Sequence, residues 1–140
     1  MTSARGAIVP DDKDWTWVLE RACPECGFDT REVGPQDVPG LLREMGPSWR
    51  TVLAGGDAAQ RPNPATWSAL EYACHVRDVF RVFDGRVDGM IEEAAPTFPN
   101  WDQDRTVIEN RYGEQDPSRV ADELAEGAAA IADRFCRPRR

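Results

Sequence analysis

Lysine and histidine are almost missing from this sequence: Lys13 is its only lysine and His75 its only histidine. Nearly every cation is therefore an arginine, and with abundant alanine, glycine and proline this composition points to a GC-rich genome. Long hydrophobic runs are missing too. No apolar stretch approaches the roughly 20 residues that span a bilayer, and the opening MTSARGAIVPDD has no apolar centre of a signal peptide. The expectation is a cytoplasmic protein with no membrane partner. Positive charge is in deficit, 17 basic against 25 acidic residues for a net −8, which repels phosphate backbones and anionic headgroups and argues against nucleic acid as a partner. No alternation of period two marks a strand, no internal repeat is visible, and no glycine-rich strand-turn-helix fingerprint for a nucleotide-like cofactor occurs. Without an export signal, Cys23, Cys26, Cys74 and Cys136 read as reduced thiols or metal ligands. What remains is an all-α chain whose 140 residues, 41% hydrophobic, suffice for one domain with a core.

The strongest helical pattern runs from Trp67 to Ile91. Ser68 and Glu71 form a capping box, in which the serine hydroxyl and the glutamate carboxylate each satisfy a free amide at a helix start. Tyr72, Val76, Val79, Phe80, Phe83, Val87, Met90 and Ile91 then recur at spacings of three and four, and this bulky face is expected to form the core. Glu71, His75 and Asp78 share an adjacent stripe, which sets the histidine at the border of the buried face with a carboxylate one turn to either side. Such a histidine is either a metal ligand or a core-border ring bonded to Glu71 or Asp78.

Ahead of this helix, Cys23-Pro-Glu-Cys26-Gly has the form of a knuckle that aims two thiolates at one zinc. Zinc needs four ligands, and the remaining candidates include Cys74 and His75, adjacent on a helix and awkward to turn toward one ion. A reduced thiol pair or a plain turn are the alternatives. Asp37-Val38-Pro39 signals a helix from about 38 to 54, in which Gly46-Pro47 should kink or divide the rod. Phe98 and Trp101 in the loop Ala95–Asp104 should pack down, with Asp102 and Asp104 outward as loop caps or water-positioning groups, and Thr106–Tyr112 should be a short helix. Asp116-Pro117 opens a last, alanine-rich helix to about residue 135, suited to close packing. The chain divides into residues 1–36, carrying the knuckle, and 37–140, an up-and-down bundle. Three long helices leave such a bundle one short, and the abruptly basic end Arg134–Arg140 reads as a truncation.

The segment WSALEYACHVRDVFRVFDGRV, with Trp67, Glu71 and His75 each one turn apart, resembles the second helix of the DinB/YfiT-like superfamily of four-helix bundles. That superfamily includes the metal-binding domain of mycothiol-dependent maleylpyruvate isomerases. The stretches DWTWVLERACPECGFD and NWDQDRTVIENRYGEQDP resemble an actinobacterial branch of it. The resemblance implies a nickel or zinc ion bound by a histidine matching His75 and by two ligands from a final helix, activating a low-molecular-weight thiol for transfer or isomerisation. Glu71, Asp78, Asp102 and Asp104 would surround that site. This chain has no second histidine, so the implied site is incomplete and a metal should bind weakly. The expected function is a thiol-dependent transferase or isomerase that has lost part of its site. A non-catalytic bundle working through self-association, as a homodimer, or through a partner is the second reading, and a methyltransferase the third.

Overall fold

The computed structural model describes residues 8–137, so part of the polar lead-in and the end of the basic tail lie outside the described residues. Within them the chain is helical without strands: α1 (Val38–Leu53), α2 (Ala69–Glu92), α3 (Gln103–Glu109) and α4 (Pro117–Phe135). Short 3-10 turns stand at Thr16–Leu19, Thr30–Glu32, Pro35–Asp37 and Tyr112–Glu114. None of the described helices is long and apolar enough to cross a membrane.

α4 is the central rod. It packs along both α1 and α2, which meet each other only briefly. Small residues make this possible. A Cβ on Gly46 of α1 would stand 2.8 Å from the Ala128 Cβ, and a Cβ on Gly127 would stand 3.5 Å from the Phe80 Cβ of α2. The alanine-rich stretch of α4 thus packs closely on two sides, and Val120, Leu124, Ala128 and Ile131 are buried there with Leu53, Leu70, Ala73, Cys74 and Phe80.

The expected break at Gly46-Pro47 does not divide α1, which is one helix with Pro47 inside it. Gly46 is held against α4, and the Ser48 hydroxyl donates to the Met45 carbonyl at 2.6 Å beside the proline. Asp37 does not cap α1 with its side chain. Its carboxylate accepts instead from the Gly34 amide at 2.9 Å, closing the turn that leads into the helix. By contrast, Ser68 and Glu71 form both halves of the capping box, and Asp116 accepts from the Ser118 amide at the start of α4.

The buried face of α2 departs from the apolar-stripe expectation. Phe80 and Val87 are buried, but Tyr72, Phe83 and Met90 stand 44%, 39% and 45% exposed. Leu70, Ala73 and Cys74 go inward instead, together with Glu71, Arg77 and Asp78. Small side chains let α2 approach α4, and the three charged groups are buried because each has partners there.

Candidate functional site

His75 stands in an aromatic box. Its ring lies 5.6 Å from that of Trp101, the planes 6° apart, and 5.4 Å from the tilted ring of Trp67. Trp67 in turn meets Tyr72 edge-on at 5.2 Å. Local bonds explain how a loop tryptophan lies flat on a helix histidine. Asp102 caps α3 by accepting from the Arg105 amide, the Thr106 hydroxyl donates to the Asp102 carbonyl at 2.7 Å, and the Trp101 indole N–H donates to the Thr106 hydroxyl at 3.0 Å. The loop before it is pinned to α2 by Arg86, which donates to the Pro99 carbonyl at 3.0 Å, and by Phe98, which passes close to Gly89.

The His75 ring is half-buried, and its Nδ1 is the only buried side-chain nitrogen or oxygen among the described residues without a hydrogen-bond partner. Burial holds its pKa below the ordinary histidine range, against the opposing charges of Asp78 and Asp104. The imidazole is therefore neutral at pH 7, and leaving such an atom unbonded costs about 1–3 kcal/mol.

The carboxylates on its stripe are committed elsewhere. Glu71, 1% exposed, accepts from Arg61 through both oxygens at 2.8 and 2.7 Å, and from the Ser68 hydroxyl at 3.2 Å. Burial raises its pKa, but Arg61 and Ser68 outweigh that and hold it below the usual glutamate value. Asp78 accepts from the Tyr112 hydroxyl and from Arg77 at 3.0 Å. Arg77 continues to Gln115 at 2.7 Å, and Arg81 bridges Asp78 to Glu123. A polar cleft of about 550 Å³ opens beside this network, lined by Arg77, Asp78, Arg81, Gln115, Arg119 and Glu123 among others, and His75 is not part of its wall. Burial pushes the neighbouring Cys74 thiol up to about 12, so it remains protonated and unreactive.

Of the residues singled out in the sequence, the structure brings His75 together with Trp67 and sets Asp104 within electrostatic reach of the ring. Asp102 is an exposed helix cap. Cys23 and Cys26 stand together in the N-terminal segment. Arg61 and Tyr112 carry no signal in the sequence, and Arg77 carries one only through Arg77-Asp78, a charged pair between the apolar positions Cys74 and Phe80. Among the described residues no three His, Cys, Asp or Glu side chains are grouped so as to hold a metal ion. With Glu71 bonded to Arg61, and Asp78 to Tyr112 and Arg77, neither carboxylate of the stripe is free to join His75 as a nickel or zinc ligand. No protein-family model, curated protein or solved structure matches this chain.

Proposed function

We propose that this chain is a DinB-like helical bundle, descended from thiol-dependent transferases or isomerases, that acts through His75 on a low-molecular-weight thiol. The observation that supports this reading is the unbonded, buried Nδ1 of a neutral imidazole between two tryptophans. A neutral ring nitrogen can accept a hydrogen bond from the S–H of a thiol that enters beside it, and the flanking indoles give the carbon skeleton an apolar wall. Nickel or zinc at His75 would have one imidazole and is held weakly.

Ring NMR of His75 tests the reading. N-acetylcysteine should shift its resonances saturably and the S-methyl derivative should not; no shift with either would refute it. In a parallel metal titration, with Cys23 and Cys26 replaced throughout, His75→Ala should change nickel affinity little. A tight ion lost on that change would overturn the weak-site part.

A second reading, a non-catalytic bundle acting through self-association or a partner, is favoured by apolar stripes left open on two helices. Leu41, Met45 and Val52 of α1 stand 43%, 43% and 50% exposed, as do Tyr72, Phe83 and Met90 of α2 to a similar degree. Exposed large apolar side chains at helical spacing mark a contact surface. Replacing Phe83 and Met90 by glutamine should abolish any concentration-dependent association seen by light scattering.

A further inference from the structure

Residues 8 to 38 contain no buried side chain, yet they hold a defined shape. Between the turns Thr16–Leu19 and Thr30–Glu32 the loop around the two cysteines closes on itself: the Cys23 amide donates to the Phe28 carbonyl, and the Gly27 amide to the Cys23 carbonyl, both at 2.8 Å. Gly27 has φ 76°, a conformation that a side chain would strain. This turn brings Cys26 back beside Cys23. Cys26 lies within the span that the Gly27-to-Cys23 bond closes. The Thr30 hydroxyl, donating to the Val18 carbonyl at 2.7 Å, ties the flanking turns together. A segment of this size without a core lacks the apolar burial that would hold such a fold, and small scaffolds in that position are stapled by a metal or a disulfide.

We propose that Cys23 and Cys26 form half of a structural zinc site, which the same two residues of a second copy of the chain complete. Two cysteines three positions apart on one closed turn present the pair of sulfur donors that a zinc knuckle uses. A structural zinc ion takes four donors in a tetrahedron. Among the described residues no third His, Cys, Asp or Glu joins this pair, and the pair is open to solvent, with Cys26 exposed and Cys23 partly so. A two-fold axis through the ion turns two such pairs into a four-thiolate site. As the ion binds, each thiol still protonated releases its proton to solvent, so affinity falls with pH. The proposal is independent of His75.

Cobalt titration of the reduced, metal-free chain tests it. Sulfur-to-cobalt charge-transfer absorption should saturate at half an equivalent per chain, zinc should displace it, and in sedimentation the metal should travel with a dimer. Cys23→Ser and Cys26→Ser should each lose the absorption while keeping the helical circular dichroism, because neither thiol touches the buried core. His75→Ala and Cys136→Ser should retain it. Absence of a thiolate band, or saturation at one ion per chain on a monomer, would overturn the shared site.

Discussion

Tyr112 donates its hydroxyl to Asp78 from 34 positions further along the chain, so the turn after α3 is fastened to the middle of α2 through a buried bond. Tyr112→Phe keeps the ring and removes the donor, leaving a buried carboxylate oxygen short of a partner. Hydrogen bonds to charged groups contribute about 1.5–3 kcal/mol, and a loss of that order is expected in urea unfolding. A change within about 0.5 kcal/mol, the usual range for a surface substitution, would show that Arg77 and Arg81 already satisfy Asp78.

The starts of α2 and α4 were legible because their signals are local, whereas the short helix expected at Thr106–Tyr112 runs Gln103–Glu109, capped by Asp102. Ser68 with Glu71, and Asp116 before Pro117, act within one turn of themselves, and both caps form as the sequence implies. The inward face of α2 was not legible, because its charged members depend on distant partners: Glu71 on Arg61 from the preceding loop, Asp78 on Tyr112, and Arg77 on Gln115. Without those partners a bulky apolar stripe is the better guess for the core. His75 drew notice as the sole histidine, but its stacking on Trp101 depends on the cap of α3, and nothing in the spacing encodes that.

Arg61 and Glu71 should dominate the acid stability of the start of α2. Arg61→Met leaves Glu71 charged and buried with only Ser68 as a side-chain donor, and breaking a buried pair in this way costs about 3–5 kcal/mol. The pH dependence follows from the direction of the shift. Glu71 binds its proton less readily in the folded chain, so its contribution is present above the unfolded glutamate value of about 4.3 and is lost as pH falls through the folded value. Unfolding curves between pH 7 and pH 3 should show this loss in the wild type and a smaller one in Arg61→Met. Equal slopes would show that the pair is not the acid-sensitive element.

Gly46 sits where α1 crosses α4, and propensity and packing make opposite forecasts there. Alanine is favoured over glycine inside a helix by about 1 kcal/mol. Its Cβ would stand 2.8 Å from the Ala128 Cβ and 3.3 Å from the Ala125 Cα, atoms fixed to the backbone that cannot rotate aside. Overpacking of this kind costs about 1–3 kcal/mol, so Gly46→Ala should destabilise the chain, and Ala128→Gly in the same background should recover part of the loss. A stabilised single variant would mean that the two helices separate at little expense.

His75 should impose a stability slope of its own, and the composition makes that slope easy to isolate. As the only histidine, it is the only side chain whose ordinary pKa lies near neutrality. Burial lowers its folded pKa, and Asp78 and Asp104 oppose that without reversing it. The unfolded chain therefore binds this proton more readily. The contribution is fully present above the unfolded histidine value of about 6.5 and is lost as pH falls toward the folded one. The carboxylate effect of Glu71 lies well below that window. Denaturant midpoints measured from pH 8 to pH 5 should fall with pH in the wild type and stay nearly level in His75→Phe, which keeps an aromatic ring between Trp67 and Trp101 and removes the unbonded nitrogen. A matching slope in both proteins would show that the ring is not held neutral by burial, and would weaken the case for it as a hydrogen-bond acceptor.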